Sequence, residues 1–200
     1  MSTRGIVGVR VDGQDKLAYN HSDSYPEGLG DDVVKALRVM LAKKGLAKIK
    51  ELARAVRLVD EQKDKPTPSD IARFREFCNT GVGGQTETDW YCLLRDLQGD
   101  IEATLNAGVM LDAREFIKDS LFCEWAYVIN LDDEVLEVYM GFQRKPPVGR
   151  YAAERAKKEG GEYEEYYPCT LVASFPFAKL PRKVSASKEV KAAIKRHEDE

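Results

Sequence analysis

Apolar and polar positions alternate most cleanly in two parts of the chain. Residues 4–11 place Val7, Val9 and Val11 on one side of an extended backbone and Ile6, Gly8 and Arg10 on the other, which predicts a strand. Asp12-Gly13 is a hairpin signal, and residues 16–20 predict the returning strand. Gly5 and Gly8 weaken a strand by propensity, so they point to close approach by another backbone or a ligand. Residues 125–131 alternate too, with Trp125, Tyr127, Ile129 and Leu131 on one face and Ala126 and Val128 on the other. Asp132-Asp133-Glu134 turns the chain and residues 135–140 return it. Apolar side chains on both faces of 125–131 predict a strand covered from two sides. Each hairpin carries too much apolar surface for an isolated ribbon, so both are expected in one sheet.

Between the hairpins the apolar period becomes helical. Val33, Leu37, Met40 and Leu41 form a stripe that predicts a helix over 31–43, with Asp31 and Asp32 at its positive end. Gly45 ends it, and Ile49, Leu52, Ala53 and Val56 predict a second helix over 46–59. Thr67-Pro68-Ser69-Asp70 is a start signal, with a capping hydroxyl, proline in the first turn and an acid at the third position. That third helix is expected to end near Cys78. A glycine-rich connector over 79–87 leads to a helix containing Trp90, Leu93, Leu94 and Leu97, then a short helix over 100–106 that stops at Gly108. Residues 144–165 read as a long polar loop with a short helix near 152–158, residues 170–175 as a strand, and 186–200 as a solvent-exposed helix or tail. The fold class expected is α+β: one domain over 1–182, an antiparallel sheet covered by helices, and an exposed carboxy-terminal segment over 183–200.

Composition narrows the function classes. Hydrophobic residues make up 43% of the chain and charged residues 32%, the balance of a folded globular domain. No apolar run reaches the roughly 18 to 20 residues of a membrane span, and the amino terminus lacks a signal-peptide pattern, so a cytoplasmic protein with no membrane partner is expected. Cys78, Cys92, Cys123 and Cys169 have no C-x-x-C pairing and read as buried thiols. With two histidines and no zinc-type spacing, neither a metal nor another cofactor is expected. The net charge of −3 conceals a basic stretch: over 33–58 eight basic residues face a single acid, Glu51. A solvated helix face explains such a stretch, and a nucleic-acid or protein-interaction surface is the alternative. Nucleic acid is not expected as a partner, because acids elsewhere make the whole chain slightly negative.

Candidate chemistry concentrates in residues 19–30, Tyr-Asn-His-Ser-Asp-Ser-Tyr-Pro-Glu-Gly-Leu-Gly, where His21 is the only histidine outside the last four residues. Asp23, Ser22 and Ser24 beside it suggest a triad, but adjacent residues rarely meet the geometry that a triad requires. Turn formation by Asp23, Ser24 and Pro26 is the simpler account. A ligand-binding set of Arg4, Asn20, His21, Asp23, Ser24 and Tyr25 follows if the hairpin brings the start of its first strand beside the end of its second. The loop Gly81-Val-Gly-Gly-Gln-Thr86 lacks the lysine of a phosphate-binding P-loop and reads as a connector.

Gly5-Ile-Val-Gly-Val9 resembles the start of the class II glutamine amidotransferases, a group of amino-terminal-nucleophile (Ntn) hydrolases whose mature chains begin Cys-Gly-Ile-Val-Gly. The resemblance implies an αββα sandwich, and an amide hydrolase whose free amino group activates the first side chain. The match covers about ten residues. Aligned on Gly5, the nucleophile position holds Arg4, which cannot attack a carbonyl; processed Ser2 or Thr3 would have to serve, with His21 and Asp23 as further catalytic candidates. Residues 19–26, 124–132 and 137–142 also resemble uncharacterised proteins carried by actinobacteria and their phages, which implies a phage or prophage context. The function expected first is binding of a small anionic, nucleotide-like ligand, followed by Ntn-type hydrolysis and then by interaction through the basic helices.

Overall fold

The computed structural model describes residues 3–81, 86–155 and 165–198. Strands β1 (Gly5–Val11), β2 (Gln14–Asn20), β5 (Trp125–Asn130), β6 (Val135–Met140) and β7 (Thr170–Pro176) form one sheet in the order β2-β1-β5-β6-β7. Both hairpins therefore share a sheet. The pairing is antiparallel except between β1 and β5, which run parallel with Gly5 opposite Trp125. The expected α+β class is observed, with that one parallel pair at the sheet centre. Strands β3 (Arg57–Val59) and β4 (Val109–Leu111) form a second, parallel, two-stranded sheet.

The alternation in sequence decides what covers each face. Val7, Val9 and Val11, with Tyr127, Ile129, Leu136 and Val138, pack against helices α1 (Asp31–Lys43) and α2 (Gly45–Ala55). Ile6, Leu17, Ala126, Val128 and Tyr139 face the other way, beneath a 3-10 turn at Arg114–Lys118 and Cys123, Tyr151 and Cys169. All of β5 is buried, as its two apolar faces require. A Cβ on Gly5 would strike the Trp125 carbonyl, and one on Gly8 the Lys16 carbonyl, so both glycines allow the central strands to approach.

Helix α3 (Pro68–Phe74) starts on a complete capping box between Thr67 and Asp70. With α4 (Trp90–Leu93), α5 (Ile101–Ala107) and the small sheet it encloses a third cluster around Val59, Phe74, Trp90, Leu93 and Val109. Gly108 ends α5 at φ 70, the left-handed stop expected of it.

Two expectations need correction, and a third lies mostly outside the described residues. The second helix stops at Ala55 instead of Val59: Val56 is extended, and Arg57–Val59 pairs with Val109–Leu111. The Lys16 ammonium closes that helix end by donating to the carbonyls of Ala53, Arg54 and Val56 at 2.7–2.8 Å. The carboxy-terminal helix α6 (Lys188–Glu198) is not a solvated appendage, because Val190 and Ala193 are buried in the main core. The short helix near 152–158 falls mostly outside the described residues, and 150–153 form turns. Among the described residues, no helix is long and apolar enough to cross a membrane. Of the four thiols, Cys92, Cys123 and Cys169 are buried and Cys78 is half-buried.

Candidate functional site

Strand β2 leaves the sheet beside the start of β1, since Gly5 pairs with Asn20. The loop that follows is pinned from inside. Ser24 is fully buried; its amide donates to the Thr3 carbonyl at 3.1 Å, its hydroxyl accepts from Asn20 Nδ2 at 2.8 Å, and its carbonyl accepts from the Tyr127 hydroxyl at 2.9 Å. Asn20 and Ser24 therefore close the loop, and the Ser24 hydroxyl is turned away from solvent. Asp23 adopts φ 55 and its carbonyl accepts the Leu29 amide, while Tyr25 turns the chain into residues 26–30 and is 39% exposed. Ser2 lies outside the described residues.

This closure leaves His21 exposed between two tyrosines. Its Nδ1 is 3.2 Å from the Tyr19 hydroxyl and 3.5 Å from the Tyr91 hydroxyl. Tyr19 is held edge-on by Phe116 with ring centroids 5.3 Å apart. The Arg4 guanidinium lies over the Phe122 ring at 5.0 Å, and that of Arg95 over the Tyr91 ring at 5.2 Å. Burial raises the Tyr19 phenol above its ordinary pKa and Tyr91 adds to the rise, while the charges of Arg4 and Arg95 oppose it. Tyr19 therefore keeps its proton at neutral pH. Among the described residues, neither arginine side chain has a carboxylate within ion-pair distance; Arg95 bonds to the Gln98 amide oxygen.

Tyr19 and Tyr91 form one wall of a cleft of about 400 Å³, within the range of small-molecule sites. Asp60, Glu61, Gln62, Asp112, Arg114 and Glu115 line the rest. The small sheet delivers these groups: β3 and β4 end side by side at Val59 and Leu111, and the Ala113 amide docks on the Leu17 carbonyl of β2. Burial, with Asp89 nearby, raises the Glu61 carboxyl above the usual carboxylate range, against the pull of Lys65. Burial also works upward on Asp112, but hydrogen bonds from Arg114 outweigh it and leave that carboxyl lowered. The phenol wall, with Arg4, Arg95 and His21 behind it, thus faces a wall of carboxyls with Arg114 among them.

The structure brings Arg4 and His21 into one neighbourhood around Tyr19, as the hairpin argument expected. It adds Tyr91, Arg95, Glu61 and Asp112, which the sequence reading did not single out. Their sequence signals were weak, because Glu61 and Asp112 follow three-residue strands while Tyr91 and Arg95 lie on a four-residue helix and the 3-10 turn after it. No group of three or more histidine, cysteine, aspartate or glutamate side chains able to hold a metal occurs among the described residues. No protein-family model matches the chain, nor does any curated protein or solved structure.

Proposed function

We propose that the protein binds a small anionic, nucleotide-like molecule in the cleft beside Tyr19. The observation that carries this reading is the pair Arg4 and Arg95, which flank Tyr19 and His21 without a carboxylate partner among the described residues. An anion bound there gains charge-assisted hydrogen bonds. Tyr19 and Tyr91 offer aromatic faces to a planar ring, and Glu61 and Asp112 can accept from its amino or hydroxyl groups.

The basic helices favour this reading over a nucleic-acid surface, since acids, most of them from elsewhere in the chain, occupy many of their charges. Lys44 pairs with Glu102, Lys48 with Glu51, Lys50 with Glu134, and Arg54 with Asp12 through two bonds of 2.7 and 3.0 Å. For Ntn-type hydrolysis, the described residues offer no activated side chain at Arg4, and the buried Ser24 hydroxyl is occupied by Asn20.

Isothermal titration with adenosine monophosphate tests the proposal. Binding by the wild type should weaken about tenfold or more in Arg4→Ala and in Arg95→Ala, since a hydrogen bond to a charged group contributes about 1.5–3 kcal/mol. The absence of heat with mono-, di- and triphosphates, or equal affinity in both variants, would reject it.

A further inference from the structure

A second concentration of positive charge lies at the opposite edge of the large sheet. Residues 142–148, the start of β7 and the end of α6 enclose a cavity of about 280 Å³. Arg144, Lys145, Arg196 and His197 line it, and its described lining residues include no carboxylate. Its apolar floor is Met140, Leu171, Val172 and Ala193. In a chain of net charge −3, Arg144 and Arg196 on facing walls of one cavity run against the overall balance.

The backbone at its rim is held in a costly conformation. Phe142 adopts φ 56, rare for a bulky residue, and two bonds to Ser120 fix it: the Phe142 amide donates to the carbonyl at 2.7 Å and the Gln143 amide to the hydroxyl at 3.0 Å. Ser120 is fully buried, so the support is rigid. The held Phe142 ring stacks on His197, with centroids 5.6 Å apart and planes at 15°. Strain of this kind concentrates at ligand clamps.

The basic residues of α6 exceed what its own helix end requires. A helix carboxy terminus carries only about half a negative charge. The last turn already holds Lys195, Arg196 and His197, while Arg144 and Lys145 come from the opposite wall. Arg144 bonds to the Tyr166 hydroxyl and lies 4.0 Å from Glu165, an exposed pair that neutralises little. Arg196 donates to the Ala192 carbonyl through Nε, and no described carboxylate lies within ion-pair distance of it.

We infer that this cavity is a second binding site, for a small phosphate monoester whose apolar or aromatic body rests on the Leu171–Ala193 floor. At about 280 Å³ the cavity accommodates a body of about one ring, just below the roughly 300 Å³ at which drug-sized sites begin. Arg144, Arg196 and His197 hold the phosphate, and the Phe142–His197 pair sets the cavity's rim.

The test is a two-dimensional amide NMR titration of the full chain with inorganic phosphate and with phenyl phosphate. Saturable shifts at Gln143, Thr170 and His197 are expected, with phenyl phosphate binding more tightly. The Arg144→Ala/Arg196→Ala double variant should keep its melting temperature and lose about tenfold or more in affinity. Arg4→Ala should leave these shifts unchanged, which separates this site from the cleft at Tyr19. The inference fails if neither compound shifts these residues, if the double variant binds equally well, or if a single-stranded oligonucleotide saturates them at lower concentration than phenyl phosphate.

Discussion

Asp15 and Tyr19 lie on the same face of the same strand, four residues apart, and they meet opposite fates. At the Asp15 end the charges satisfy one another. Arg150 bridges Asp15 and Glu137; the Tyr151 hydroxyl donates to Asp15 at 2.9 Å and the Tyr139 hydroxyl to Glu137 at 2.8 Å, while Asn130 donates to Glu137. At the Tyr19 end, Arg4 and Arg95 have no such carboxylates among the described residues, and the Tyr19 phenol, beside the His21 imidazole, faces a cleft. The closed network pairs its carboxylates with Arg10, Arg150, Asn130 and two phenols, whereas the open end leaves Arg4 and Arg95 without a carboxylate among the described residues. Charge at the first holds residues 144–151 to the sheet, and at the second it is available for recognition.

Removing Arg150 should have the largest effect. The side chains of Asp15 and Glu137 are 16% and 9% exposed, so Arg150→Ala leaves Glu137 without a cation and Asp15 with Arg10 alone, in a poorly hydrated place. The expected cost is about 3–5 kcal/mol, read from urea denaturation. Ligand binding at Tyr19 should persist in the folded fraction. A loss under 1 kcal/mol would show that the network is not a structural lock.

Alkali should act next, and again on the closed end. Burial raises the Tyr139 and Tyr151 phenols above their ordinary value. Above about pH 10 the unfolded chain loses these protons while the folded chain keeps them, so stability falls as pH rises. Each phenol contributes a slope of about 1.4 kcal/mol per pH unit. Tyr151→Phe should make the decline shallower by that amount. An unchanged slope would place the alkaline transition elsewhere.

The contrast also explains how much could be read from the sequence. Alternation in β1, β2, β5 and β6 identified the large sheet and both its faces, because period-two burial leaves a local signature. The hairpin turn brought Arg4 near His21 for the same reason. Glu61 and Asp112 reach the cleft through β3 and β4, three-residue strands that pair across fifty residues and carry no periodicity, and Tyr91 reaches it from the four-residue helix α4. The reading of 57–59 as helix failed there, since tertiary pairing overrode the helical stripe of 46–56. Arg150 lies in a stretch that looked like polar loop, and nothing near it in sequence marks Asp15 or Glu137 as partners. The burial of α6 escaped for a related reason: Val190 and Ala193 are too few to outweigh a strongly charged helix.

Changes at the open end should leave stability nearly untouched. His21→Ala and Tyr91→Phe alter exposed or half-buried groups, and each should shift unfolding free energy by no more than about 0.5 kcal/mol. Their effect should fall on adenosine monophosphate affinity instead. A large loss of stability in His21→Ala would make the cluster a structural feature like the Arg150 network.

The most direct measurement is an amide NMR titration of the wild-type chain with adenosine monophosphate, followed at Tyr19, His21, Tyr91 and Ala113 and repeated in Arg150→Ala and Arg95→Ala. The account predicts saturable shifts at these four residues that survive in folded Arg150→Ala and weaken about tenfold or more in Arg95→Ala. Shifts confined to residues 142–148 and α6, or none at all, would contradict the assignment of the Tyr19 cleft as the binding site.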